Sequence, residues 1–172
     1  MFTVGLFSIG LDTYWDQFEG LFERLRGYHE TIRKKIDRLG VEVVDAGLID
    51  NLEDARKAGD ELHRNQVDLV FLYVSTYALS STVLPVAQRV NVPVIILNLQ
   101  PTPAIDYESF NSLGDQGKMT GEWLANCQAC AVPEIASVFN RSGIRYEFVT
   151  GHLEDEEAWE ELKSGAEEAF DT

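Results

Sequence analysis

Residues 67–100, VDLVFLYVSTYALSSTVLPVAQRVNVPVIILNLQ, decide the fold of this chain. The runs 68–74 and 94–99 are almost continuously apolar, which is typical of parallel strands that are covered on both faces. Between them, apolar residues recur at helical spacing: Val83, Leu84, Val86, Ala87 and Val90. A strand, a helix and a parallel strand connect in a right-handed sense, so this unit predicts an α/β sheet. Ligands of such sheets bind at the loops that follow the carboxyl ends of the strands.

The rest of the chain repeats this alternation of strands and helices. Residues 3–9 predict a first strand, and Asp12 or Thr13 is expected to cap a long helix that ends at Gly40. Its apolar positions are Trp15, Phe18, Phe22, Leu25, His29, Ile32, Ile36 and Leu39. Residues 41–45 and 144–150 alternate in polarity, which predicts the two edge strands. Asp50 and Glu53 resemble a capping box for the helix between the second and third strands.

These patterns predict a doubly wound parallel five-stranded sheet in the flavodoxin-like order 2-1-3-4-5, with helices on both faces. The 172 residues suit a single Rossmann-like or flavodoxin-like domain spanning 1–172. The formal net charge of -15 argues against nucleic acid and anionic membranes as partners, because both need clustered Lys and Arg. The chain shows neither a membrane span nor the basic region of a signal peptide, so we expect a cytoplasmic protein.

In the order 2-1-3-4-5, the loops after strands 1 and 3 face each other at the expected ligand crevice. They carry hydroxyls, a carboxylate and aromatic rings: Asp12, Thr13, Tyr14, Trp15, Ser75, Thr76 and Tyr77. This set suits a neutral polyol, whose C–H surface packs on aromatic faces. There is no glycine-rich phosphate motif, and Asp12 would repel an anion. Each residue also has a purely structural interpretation, with Trp15 and Tyr77 in the core and Asp12 as a helix cap.

Three further features lie outside the expected crevice. Residues 100–117 form the longest irregular segment, and its aromatic residues indicate that a partner surface orders it. Met119, Trp123, Cys127 and Cys130 are expected on one helix face, which favours core packing of the two cysteines over a redox or metal site. The histidines lie in helices or, for His152, at the rim after the last strand, where a surface role is expected.

The chain resembles the N-terminal domain of the L-arabinose isomerase and L-fucose isomerase-like family of sugar ketol-isomerases. The resemblance rests on residues 5–15 (GLFSIGLDTYW), on the strand-3 tip Ser75-Thr76-Tyr77 and on residues 111–117 (NSLGDQG). It implies the N-terminal part of a longer enzyme, a substrate-capping and oligomerisation domain that is catalytically incomplete alone. The implied partners are a pentose or hexose sugar and further copies in a homo-oligomer.

The resemblance also implies site residues. Those expected to contact the sugar are Asp12, Tyr14, Trp15, Tyr77, Asp115 and Gln116, with no catalytic or metal-binding residue in this chain. The family uses Mn²⁺, whose ligands would lie outside these residues. Asp12 departs from the glutamine of the better-characterised arabinose isomerases, which argues against arabinose as the sugar. Two alternatives remain at this point: one lobe of a sugar-binding protein or regulator of the periplasmic-binding type, and a purely structural scaffold.

Overall fold

The computed structural model describes residues 2–171 and contains a sheet of five parallel strands. The strands are β1 (Thr3–Ile9), β2 (Glu42–Ile49), β3 (Leu69–Val74), β4 (Val94–Gln100) and β5 (Tyr146–His152). Their order is β2-β1-β3-β4-β5, which confirms the predicted order and both predicted edges.

Seven α-helices connect and cover these strands within the described residues. They are α1 (Leu21–Asp37), α2 (Leu52–Arg64), α3 (Ser80–Val90), α4 (Tyr107–Asn111), α5 (Gln116–Leu124), α6 (Val132–Ser142) and α7 (Glu156–Asp171). Helices α1 and α7 pack on one face of the sheet, and α2, α3 and α6 pack on the other. No helix within residues 2–171 is both long enough and apolar enough to cross a bilayer.

The central strand β3 explains why the sheet needs two helical layers. All six of its residues are buried. Leu69, Phe71 and Tyr73 pack in the core on the α1/α7 side, whereas the alternate residues 70, 72 and 74 pack on the opposite side. Because side chains alternate across a strand, an uninterrupted apolar run is stable only when both faces are covered.

The first helix begins seven or eight residues later than predicted from a cap at Asp12 or Thr13. Residues 12–14 form one 3₁₀ turn, and α1 starts at Leu21 after Gly20, whose φ of 79° is left-handed. This conformation favours glycine and interrupts the helical path. The indole Nε1 of Trp15 donates a hydrogen bond to Asp50 Oδ2 at 2.8 Å, which holds the intervening segment against the end of β2. The predicted cap of α2, Asp50, is wrong. The cap is Asn51, whose Oδ1 accepts a hydrogen bond from the Asp54 backbone N–H at 2.9 Å.

The segment 100–117 and the cysteines also differ from the prediction. Asp106 caps α4 and Asp115 caps α5, each accepting a backbone N–H three residues later. Part of the segment predicted to be irregular is therefore helical, and its ordering by a partner surface stays a prediction. Helix α5 ends at Leu124, and the predicted helix face through Cys130 is wrong. Cys127 is buried, whereas Cys130 is exposed.

A buried polar chain links β1, α1 and β2. The carboxylate of Asp45 accepts a hydrogen bond from His29 Nε2 at 2.8 Å, and Ser8 Oγ lies 2.5 Å from His29 Nδ1. Burial alone would raise the pKa of Asp45, but hydrogen bonds from His29 and Gly47, together with the charges of His29 and Arg33, bring this pKa below its usual value. The three side chains satisfy one another in an otherwise apolar layer.

The two-layer core predicts contrasting costs for the same truncation at two phenylalanines. Phe71→Ala removes a fully buried ring and should lower the free energy of unfolding by about 3–5 kcal/mol. Phe148→Ala, at an edge position that is 50% exposed, should cost on the order of 1 kcal/mol or less. Urea denaturation of both variants, followed by tryptophan fluorescence, measures the difference. Equal losses would contradict the assignment of β3 to the centre and β5 to the edge.

The Asp45 contacts predict acid-sensitive stability. Because the pKa of Asp45 is lower in the folded than in the unfolded chain, its contribution is present above the unfolded-state pKa and is lost as the pH falls through the folded-state pKa. Asp45→Asn should therefore lower the free energy of unfolding by about 1–3 kcal/mol near neutral pH. The difference in the free energy of unfolding between this variant and the parent should become smaller at about pH 3. Urea titrations near neutral pH and at about pH 3 measure it.

Asp60→Asn is the matched control for this measurement. Asp60 pairs with Arg89 on the surface, where 61% and 51% of the two side chains are exposed. Solvent screens such pairs strongly, so this variant should match the parent in stability near neutral pH. An Asp45→Asn protein that keeps full stability and full acid sensitivity would show that the buried chain of hydrogen bonds contributes nothing.

Candidate functional site

The carboxyl ends of β1 and β3 lie side by side, as the strand order predicts. Ile9 is in register with Val74, and one residue later Ser75 donates two hydrogen bonds to the Ile9 carbonyl oxygen. The distances are 3.3 Å from its backbone nitrogen and 2.6 Å from its Oγ. The two following loops are therefore held together, and we call the surface formed by Asp12, Tyr14, Trp15 and Tyr77 the crevice.

Each of the two loops contributes one tyrosine to the crevice. Tyr14 is half-buried and Tyr77 is 37% exposed. Burial raises the pKa of Tyr14, and the nearby Tyr77 raises it further because two phenolate charges would repel. The Tyr14 hydroxyl therefore stays protonated at neutral pH. A neutral phenol can both donate and accept a hydrogen bond.

The side chains of Asp12 and Trp15 differ in how accessible they are to a ligand. Asp12 is exposed, so its carboxylate is open to solvent, two residues before Tyr14 in the β1 loop. Trp15 is half-buried, its Nε1 is committed to Asp50, and its ring lies 5.0 Å from that of Phe22, measured between centroids. We assign Trp15 to positioning the loop, with part of its ring left at the crevice wall.

Ser75 and Thr76 are unavailable to a ligand, although the sequence placed their hydroxyls in the crevice. Both residues are fully buried. Ser75 Oγ donates to Ile9, and Thr76 Oγ1 donates to the Leu124 carbonyl at 2.6 Å. These hydroxyls fasten the β3 tip to β1 and to the end of α5.

Asp115 and Gln116 lie at the start of α5, apart from the four crevice residues. Gln116 is exposed, and the Asp115 carboxylate accepts from the Lys118 amide at 2.8 Å as the α5 cap. Asp115 lines a groove of about 440 Å³ between α5 and residues 17–24. Phe18 also lines this groove and makes an edge contact with Tyr14, with 6.1 Å between ring centroids, so its ring stands between the two areas.

An ion pair fixes α5 against α1 at this groove. The two terminal guanidinium nitrogens of Arg24, Nη1 and Nη2, donate to the Glu122 carboxylate at 2.5 and 3.0 Å. The hydrogen bond from Arg24 lowers the pKa of Glu122 below its usual value, outweighing the effect of burial. The bidentate geometry orients α5 relative to the crevice loops.

A carboxylate already occupies the helix start nearest to the β3 loop. Glu134 Oε1 accepts a hydrogen bond from Ser80 Oγ at 2.6 Å and lies 3.4 Å from the Ser80 amide nitrogen. A helix N-terminus is the usual place for a phosphate group in an α/β fold. With Glu134 there and Asp12 at the β1 loop, this edge of the sheet disfavours anions.

The Ser8, His29 and Asp45 chain has the residue types of a hydrolytic triad but not its placement. Ser8 lies within β1 and is fully buried, so its hydroxyl has no access to a substrate. A nucleophilic serine must reach the reacting carbonyl while its histidine takes the proton. We therefore assign this chain a structural role. Among residues 2–171, no group of three or more His, Cys, Asp or Glu side chains is arranged to hold a metal ion.

No protein-family model and no curated protein matches this chain. Among solved structures, it is similar to the crystal structure of a GDSL-like lipase from Bacteroides thetaiotaomicron. The two share 10% sequence identity, the alignment covers 98% of this chain and 87% of that one, and the TM-score is 0.43. A likeness at this level does not transfer an activity.

These comparisons contradict the family prediction made from the sequence. The similar solved structure belongs to a different family from the arabinose and fucose isomerases, and neither other search supports them. The assignment as an isomerase substrate-capping domain is therefore wrong by this comparison. The alternative of a periplasmic-type sugar-binding lobe finds no support either.

Proposed function

We propose that the crevice binds a neutral polyhydroxy compound of the size of a simple sugar. The observation that carries this proposal is that Tyr14 and Tyr77, from two adjacent loops, lie close enough for their charges to interact, and that Asp12, two residues before Tyr14, is exposed. Aromatic faces pack on the C–H surface of a polyol, and a carboxylate accepts hydrogen bonds from its hydroxyl groups. A flavodoxin-like arrangement, with which the strand order is consistent, puts ligands at this reversal point of the winding.

The electrostatics of the same edge support a neutral ligand over a phosphorylated one. Asp12 is exposed at the β1 loop, and Glu134 holds the start of α3. The formal net charge of -15 adds a long-range repulsion of anions. A cytoplasmic location, predicted from the sequence, and a homo-oligomer, which the family resemblance implied, both remain predictions.

Binding of free sugars and sugar alcohols to the whole chain tests the proposal. Isothermal titration with a panel of pentoses, hexoses and hexitols should reveal at least one ligand with a Kd of roughly 1 mM, about -4 kcal/mol. Tyr77→Ala and Tyr14→Ala should each weaken that binding by about tenfold, or about 1.4 kcal/mol. Tyr77→Phe should keep most of the affinity if ring packing dominates.

Tyr107→Ala is the matched control, because Tyr107 is 67% exposed on α4 and lies outside the crevice. Its affinity should equal that of the parent. If no member of the panel binds saturably, or if Tyr107→Ala weakens binding as much as Tyr77→Ala, the crevice is not the site.

Charge at Asp12 predicts discrimination between a sugar and its phosphate. The parent should bind the phosphorylated form of its best ligand at least about tenfold more weakly, because Asp12 and Glu134 repel the added charge. Asp12→Asn should narrow this gap, and the gap should also shrink at high salt. Tighter binding of the phosphate by the parent would contradict the proposed ligand class.

A further inference from the structure

The link between α5 and α6 contains a disulfide that joins Cys127 to Cys130. Their Cα atoms are 5.5 Å apart, a separation that suits a disulfide. The two sulfur-bearing residues differ in access: Cys127 is 2% exposed, whereas Cys130 is an exposed residue of the 3₁₀ turn Ala129–Ala131. The bridge therefore joins an exposed residue to a buried one.

The sheet holds the backbone around this disulfide on both sides. Gln100, the last residue of β4, donates from Nε2 to the Asn126 carbonyl at 2.8 Å. Its Oε1 accepts from the Ala129 amide at 3.2 Å. A single side chain thus holds the residue before Cys127 and the residue before Cys130.

Gln128, between the two cysteines, is fully buried and adds a third anchor. Its Nε2 donates to the Ser75 carbonyl at 3.0 Å and to the Ala125 carbonyl at 2.8 Å. None of these hydrogen bonds involves a sulfur atom. The turn is therefore held in place independently of the S–S bond, and the two thiols stay close together after reduction. Proximity of this kind makes the closing step intramolecular and fast.

We propose that Cys127 and Cys130 form a dithiol–disulfide exchange site, with Cys130 as the sulfur attacked by an incoming dithiol. A disulfide that serves stability alone is better protected from solvent than one whose outer sulfur is exposed. The site takes dithiol compounds as its co-reactant and does not depend on what the crevice binds.

The exchange balances as a two-electron transfer. A thiolate of the dithiol attacks Cys130 Sγ, the S–S bond breaks, and Cys127 leaves as a thiolate that takes up a proton. The second thiol of the co-reactant, as a thiolate, then attacks the first sulfur of the co-reactant, which is bonded to Cys130 in the mixed disulfide. This step releases Cys130 as a thiolate. The dithiol is oxidised to a disulfide, and the protein disulfide is reduced to two thiols. The reverse sequence reoxidises the protein.

Alkylation of the native 172-residue chain tests this proposal, since Cys127 and Cys130 are the two cysteines of this sequence. The air-oxidised protein should take up no iodoacetamide, whereas protein reduced with dithiothreitol under native conditions should take up two equivalents. With limiting reagent, tandem mass spectrometry should place the first label on Cys130, at a rate about tenfold or more above that of Cys127. Oxidised dithiothreitol should restore the resistant form.

Two single-cysteine variants separate the roles of the sulfurs. Cys127→Ser keeps the exposed sulfur and should form a stable mixed disulfide with oxidised glutathione, whereas Cys130→Ser should stay unmodified in the same time. Circular dichroism checks that both variants fold, and the parent alkylation remains decisive if one does not. The proposal is overturned if the native bridge resists dithiothreitol until urea is added, if oxidised protein shows two free thiols, or if Cys127 is labelled first.

Discussion

The hydrogen-bonded pairing of β1 with β3 is the constraint on which the functional part of this molecule depends. These strands adjoin although β2 comes between them in the chain, so the winding of the sheet reverses at this point. Ser75 closes the pair by donating from both its backbone and its side chain to Ile9. Since the strands are parallel, their loops leave on the same side, which brings the loops that carry Tyr14 and Tyr77 to the same edge of the sheet.

Much of this fold was predictable because burial on both faces leaves a strong pattern in the sequence. Residues 69–74 and 94–97 are buried throughout, and their apolar runs alone indicated interior parallel strands. Gly143, with a φ of 70°, ends α6 as expected for a left-handed helix cap. The start of α1 was not predictable from periodicity, because Trp15 and Phe18 keep helical spacing in a segment that tertiary contacts hold in another conformation. Local spacing cannot report a hydrogen bond to Asp50, 35 residues away.

The sequence predicted which two loops adjoin, but not which of their side chains are already engaged within the protein. The loops after β1 and β3 lie side by side, as predicted from the strand order. The hydroxyls of Ser75 and Thr76, however, donate hydrogen bonds to backbone carbonyls within the protein. Gln128 carried no sequence signal, although its buried amide joins the β3 tip to the cysteine turn. Likewise, Ser8, His29 and Asp45 lie too far apart in sequence for any spacing rule to unite them. Such contacts are set by how elements pack, which a local pattern does not record.

A crystal structure of the protein soaked with a neutral hexitol or hexose at high concentration tests the central claim most directly. If the crevice is the binding site, ordered ligand density lies against the rings of Tyr14 and Tyr77, with a ligand hydroxyl within hydrogen-bonding distance of Asp12. Density only in the groove between α5 and residues 17–24, or a crevice that stays free of ligand while solution binding is saturated, would contradict it.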